Sequence, residues 1–225
     1  MKLDIEQLIN QGLIVPDEGS VVYNGTLSTT NNVDLKFKVT NGWDILAAHK
    51  CDLEWKAYRY KLAEHLQENY DGETLKEVLG TIQVEDAHWK WLDKSFFYNS
   101  DEYQWYFLKT SSDVEAVCLT YHPKASELYS GNIFYIEFIA VAPWNRDDPM
   151  EQKRFKSLGS LLMRIVINYS VTKLGLTYGF SLHSLPQANG FYKRIGMTHC
   201  KNADKDSLEY FEMDVDSSMK FVGVL

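Results

Sequence analysis

The chain has 225 residues, enough for one large domain, and its 45% apolar and 14% aromatic content excludes a disordered or fibrous chain. A formal net charge of −8 without a basic tract argues against a nucleic-acid binder, and no apolar run approaches the roughly 20 residues that span a bilayer. Cys51, Cys118 and Cys200 are odd in number and show no paired spacing, so neither a disulfide framework nor a zinc site is expected.

The first residues carry acids among their apolar positions and lack the continuous apolar segment of a secretory leader, so a cytoplasmic location is expected. Residues 1–33 read as an N-terminal extension, with a short helix over 4–10 and a hairpin over 21–27 that turns at Asn24-Gly25. Residues 35–40 alternate apolar and charged side chains and predict a half-exposed strand. Asn41 is the predicted N-cap of a helix over 43–69, whose apolar positions include Ile45, Leu46, Leu53, Trp55, Tyr58, Leu62 and Leu66. A second helical pattern covers 73–97, broken near Gly80, and carries Trp89, Trp91, Leu92, Phe96 and Phe97.

Strands are predicted over 104–109 and 114–122 as an antiparallel hairpin turning at 110–113. The run 136–141 is apolar except for Glu137 and closes at Pro143, which marks a strand in the middle of a sheet. A charge inside such a run needs a partner, water or a use, so Glu137 is a candidate functional residue. After a polar loop over 144–153 with Asp147 and Asp148, the turn RFKSLGS over 154–160 opens a helix. Small residues there (Ser157, Gly159, Ser160), unpaired first-turn amides, and the charges of Arg154 and Lys156 together suit a phosphate. A strand over 178–182 leads to His183, followed by a short helix carrying Phe191 and Tyr192, and 209–214 is the last predicted strand. The tail over 217–225 receives no assignment. His49, His65, His88, His122 and His199 have no metal-ligand spacing, so no metal is predicted, and neither Ser157 nor Ser160 lies in a nucleophile elbow.

Arg154, Ser157 and Gly159 resemble motif A of the GNAT superfamily of acetyl-CoA-dependent N-acetyltransferases, with Ser157 in place of the usual first Gly and Phe155 in place of a frequent Gly. Residues 181–197, with Phe191, Tyr192 and Gly196, resemble motif B, and the likeness covers 133–200. It implies an α/β (α+β) GNAT domain over 34–216, with a mixed, mostly antiparallel central sheet of about six or seven strands, flanked by helices and splayed at its centre. Acetyl-CoA is the implied cofactor. Main-chain groups of Ile139, Ala140 and Val141 would pair with its pantetheine arm, and Arg154, Lys156, Ser157, Leu158, Gly159 and Ser160 would hold its pyrophosphate. Leu185 stands where the family often has Asn, so that cofactor contact is either lost or supplied by Ser184.

The resemblance makes Tyr192 a general acid, Glu137 a general base and His183 a second base or relay. The implied activity is direct acetyl transfer to a primary amine of a small molecule or protein. Polyamines, aminoglycoside-like compounds, amino acids, and protein N-termini or lysines all stay open as acceptors. The alternatives are a non-catalytic acyl-CoA-binding or sensing module of the same fold, or a transferase using another acyl-CoA. No nucleic-acid or membrane partner is expected, and a homodimer is the commonest assembly for such a chain.

Overall fold

A computed structural model describes residues 5–223. The short helix α1 (Ile5–Asn10) precedes strands β1 (Ser20–Ser28) and β2 (Asp34–Asn41), then helices α2 (Ile45–Asn69), α3 (Gly72–Leu79) and α4 (Trp91–Phe97). Strands β3 (Tyr103–Lys109), β4 (Val114–Ala125) and β5 (Asn132–Val141) lead into α5 (Leu158–Leu174) and β6 (Phe180–Ser184). The chain continues with α6 (Asn189–Arg194), β7 (Thr198–His199), β8 (Glu209–Met213) and α7 (Val215–Val222).

The strands form one sheet in the order β1-β2-β3-β4-β5-β6-β8-β7, eight strands rather than the six or seven expected. Every pairing is antiparallel except β5 with β6. Side chains alternate across the sheet with a period of two. Trp105 and Phe107 of β3 pack with Trp55 and Trp91 on the α2 face, whereas Tyr106 and Leu108 pack with Leu162 and Val166 on the α5 face.

The parallel pair positions the site. Its register covers only Phe134↔Phe180, Tyr135↔Ser181 and Ile136↔Leu182. In the facing ladder, Ile136 pairs with Thr120 and Phe138 with Leu119, so Glu137 is the extra residue of a β-bulge. A bulge bends its strand and re-aims a side chain. Beyond it β5 runs on to Val141 without β6, and the splay opens a cleft.

Several predicted boundaries move. Asn24 and Gly25 are not a turn: they lie inside β1, opposite Lys38 and Phe37. A Cβ on Gly25 would come within 2.6 Å of the Phe37 ring, so this glycine allows close packing across the sheet. The actual turn follows Ser28, where Asn32 adopts φ 60° and its amide donates to the Thr29 carbonyl. Asp44, not Asn41, caps α2 by accepting from the Ala47 amide at 2.9 Å, and Asn41 stays in β2 bonded to Gln104 and the Trp105 carbonyl. The helical pattern over 73–97 breaks at Gly80 as expected, the C-cap of α3, and the loop before α4 carries Asp86, paired with Arg146. The unassigned tail contains α7, capped by Asp214 through the Ser217 amide at 2.8 Å and packed against α5.

Candidate active site

Three cavities lie in succession along the splay between β5 and β6 and past it, each sharing wall residues with the next. The first, about 880 Å³, lies at the N-terminus of α5 and is lined by Lys156, Ser157, Ser160, Arg164, Arg194 and Lys220, among others. The second, about 280 Å³, runs past Ile139, Val141, Gly159, Met163 and Phe191, and shares Ser157 and Ser160 with the first. The third, about 470 Å³, contains Tyr98, Glu137, Phe138, His183 and Lys205, and shares Trp89, Ile139, Leu185, Ala188 and Tyr192 with the second. One cleft therefore connects a basic end to an aromatic end.

The basic end is built differently from the sequence expectation. Arg154 does not reach the cleft: its Nη1 donates to Asp113 at 2.6 Å and to Glu115 at 2.9 Å, and its guanidinium stacks over Trp144. Glu115 is fully buried and also accepts from Trp144 Nε1 at 2.7 Å, Asn145 Nδ2 at 2.8 Å and Thr110 Oγ1 at 3.1 Å. A buried carboxylate requires such partners, and Arg154 supplies the balancing charge. Arg154→Gln is expected to lower stability by about 2 kcal/mol, less than the ~3–5 kcal/mol of a fully buried pair because the guanidinium is 37% exposed to screening water. Urea unfolding measures the loss.

Cations at this end come instead from Lys156, Arg164, Arg194 and Lys220, none of which forms a side-chain ion pair among the described residues. Ser157 enters α5 in the left-handed region at φ 59° without a side-chain cap, so the first-turn amides at Leu158, Gly159 and Ser160 lack a capping hydroxyl or carboxylate. The side chains of Phe155 and Leu158 are buried in the core. Asp147 pairs with Lys153, and Asp148 accepts from Tyr58 at 2.9 Å, so neither carboxylate lines a chamber.

Along β5 the Ala142 amide donates to the Glu115 carbonyl on β4. Strand alternation then points the main chain of Ala140 toward β4 and that of Ile139 and Val141 into the cleft. Ala140 is thus excluded from main-chain contacts on the cleft side. The Val141 carbonyl is already taken by Arg146, through Nε at 3.2 Å and Nη2 at 2.9 Å, and Arg146 is in turn gripped by Asp86. The Val141 amide and both main-chain groups of Ile139 are left facing the cleft.

At the aromatic end, Tyr192 projects from α6 between the second and third chambers, with its ring against Phe191 and Phe211. Burial pushes its phenol well above the ordinary value, so it stays protonated at neutral pH. The bulge places Glu137 in the third chamber, where burial raises its carboxyl above the usual range and Lys205 and Lys94 partly offset the shift. No described residue donates a hydrogen bond to it.

His183 is held through both ring nitrogens. Its Nε2 lies 2.9 Å from the Ala203 carbonyl, an acceptor only, so Nε2 carries the proton and Nδ1 accepts from the Tyr135 hydroxyl at 2.7 Å. Both nitrogens are occupied, and the imidazole holds the Tyr135 phenol in place. Ser184 is buried, donates to the Leu185 carbonyl at 2.9 Å and lines none of the three chambers. Among the described residues no group of His, Cys, Asp and Glu could hold a metal ion, and no helix is long and apolar enough to cross a membrane.

Among solved structures, an uncharacterized protein from Bacillus halodurans superposes with a TM-score of 0.50 at 12% identity, covering 90% of this chain and 96% of that one. The GNAT domain of S. lividans PAT gives 0.48 at 9% identity over 85% and 96%, and apo FdhC, a nucleotide-linked sugar GNAT, gives 0.48 at 11% over 89% and 100%. At 12% identity the likeness to the Bacillus halodurans protein is one of fold alone. No family model matches the chain, and no curated protein matches it.

Proposed function

We propose that the chain is an N-acetyltransferase that moves acetyl from acetyl-CoA directly to a primary amine. The observation that carries this reading is the single cleft, with uncapped helix amides and four cations outside any ion pair at one end and, at the other, a carboxylate without a hydrogen-bond donor in a chamber that Tyr192 also lines. The anionic end of the cofactor fits the first chamber, where Lys156, Arg164, Arg194, Lys220 and the amides of Leu158, Gly159 and Ser160 would hold it. Its amide-bearing arm fits the second chamber, where Ile139 and the Val141 amide offer a strand edge. When bound, acetyl-CoA supplies an acetyl thioester.

The protein's own groups supply orientation and proton transfer. Glu137 Oε takes a proton from the incoming ammonium, and Tyr192 Oη gives one where the thiolate departs. Arg146 and Asp86 fix the loop that roofs the second chamber. His183 orients Tyr135 at the back of the third.

Calorimetric titration with acetyl-CoA, followed by an assay of amine-dependent thiol release, tests the reading. Tyr192→Phe should bind acetyl-CoA as the native protein does and lower kcat by about 10²-fold, the lower end of what a positioned acid contributes. Binding with no amine-dependent release of thiol from the native protein would favour the acyl-CoA-sensing alternative.

A further inference from the structure

We infer that the outer edge of β1 is an interaction surface for a second copy of this chain, the two β1 strands pairing antiparallel about a two-fold axis at Thr26. β1 ends the sheet and pairs only with β2 among the described residues, so half of its main-chain groups have no partner strand. The ladder fixes which half. At the turn the Thr29 amide donates to the Val33 carbonyl, and alternation from there points the main chain of Leu27, Gly25 and Tyr23 toward β2. Further along, the Gly42 amide donates to the Trp105 carbonyl, which points Thr40 and Lys38 toward β3 and leaves Val39, Phe37 and Leu35 for β1, in agreement. Asn24, Thr26 and Ser28 are left with their amides and carbonyls facing outward.

Sheet edges are ordinarily guarded by charge, proline or brevity. The opposite edge, β7, has two residues, whereas β1 has nine, SVVYNGTLS, with neither a charge nor a proline. The bulge between Val21 and Tyr23 breaks the register at one end and leaves residues 23–28 as the regular stretch. Self-complementarity is what selects a second copy. Within that stretch only a two-fold at Thr26 uses all three outward positions, with Thr26 opposite Thr26 and Asn24 opposite Ser28 of the second copy. Gly25 then faces Leu27 of the second copy, on the side where Tyr23 and Leu27 join the core under α5. The Tyr23 and Phe37 rings already meet over Gly25, and the second leucine extends that apolar contact. On the other side Asn24, Thr26 and Ser28 are exposed and uncharged, so no like charges oppose one another.

Main-chain hydrogen bonds supply the affinity of such a joint, as in any strand added to an edge. One strand pair lies at the small end of interface sizes, so the dimer exchanges with monomer. Strands β2, β3 and β4 separate β1 from β5, and the pairing therefore leaves the cleft of each copy open.

Sedimentation velocity of the full chain over about 5–500 µM, a range suited to a weak interface of this size, tests the inference. Native protein should move with concentration from the 26.1 kDa monomer toward twice that mass. Thr26→Lys removes the central pair and sets like charges against each other at the two-fold. It should raise the dimer Kd by about tenfold, with the melting curve of the dilute monomer unchanged. Thr26→Glu should behave in the same way alone, and an equimolar mixture of the two variants should recover the dimer, because opposite charges then face each other. A native chain that sediments as a monomer throughout would overturn the inference. So would a dimer that both variants leave intact, or two weakened variants that do not recover on mixing.

Discussion

Gly159→Glu is expected to raise the Kd for acetyl-CoA by at least about a hundredfold, equivalent to roughly 2.7 kcal/mol, while the protein stays folded. The fold should survive because a Cβ at this position meets only Val141 Cγ1, at 3.9 Å, an ordinary contact. Room for a methyl group also means that the Cβ itself is not what the site excludes, and Gly159→Ala should bind far better than the glutamate variant. What Glu adds is length and charge. Gly159 lies on the wall of the second chamber, between Ser157 and Ser160, which also line the first. A carboxylate there would narrow the passage and neutralise the field of Lys156, Arg164, Arg194 and Lys220. Lys156, Arg194 and Lys220 are exposed, so native affinity should also fall as salt rises, whereas the glutamate variant should show little left to screen. Titration of native protein, Gly159→Ala and Gly159→Glu at two salt concentrations checks all three. Equal affinity of native protein and the glutamate variant would move the cofactor away from this turn.

The basic end also shows where sequence reading stops. The turn over 154–160 announces a helix start and a cationic neighbourhood, and both are present, yet Arg154 serves Glu115 and Asp113. Nothing local in the sequence reveals this, because Glu115 is 39 residues upstream and its burial follows from sheet order. The cations that do face the cleft come from Lys156 in the turn and from α5, α6 and α7, three helices that only tertiary packing assembles. Lys156 was legible from the turn itself, whereas Arg164, Arg194 and Lys220 were not.

By contrast, β5, α5 and the strand and helix of the second motif were legible, since each combines a strong apolar period with local punctuation. The Asn24-Gly25 pair misled because the same dipeptide serves a tight turn or a close cross-strand contact, and only the position of Phe37 decides between them. His183 was equally undecidable: its chemistry depends on whether its nitrogens are free, which Tyr135 and Ala203 determine from distant segments.

Glu137 was legible as an anomaly, a lone charge in an apolar strand, although the bulge that gives it access was not. Glu137→Gln should lower kcat by about 10²–10³-fold, within the range for loss of a general base, and leave acetyl-CoA affinity unchanged. It should also raise stability at neutral pH. Burial holds the folded carboxyl above its unfolded value, so the stabilising contribution of the protonated group is complete below the ordinary carboxylate range and is lost as pH rises through the raised folded value. At neutral pH the native protein therefore carries the cost of a partly desolvated charge that the amide lacks. The advantage of Gln over Glu in urea unfolding should shrink toward acid pH, where the native carboxyl is protonated. The same shift governs activity: the acid limb of kcat/KM should lie above the ordinary carboxylate range and be absent in the variant. A group retained for structure alone would give the opposite pattern, with stability lost, kcat preserved and the acid limb unmoved. Gain of stability together with loss of turnover is the signature of a carboxylate kept in an unfavourable place for its chemistry.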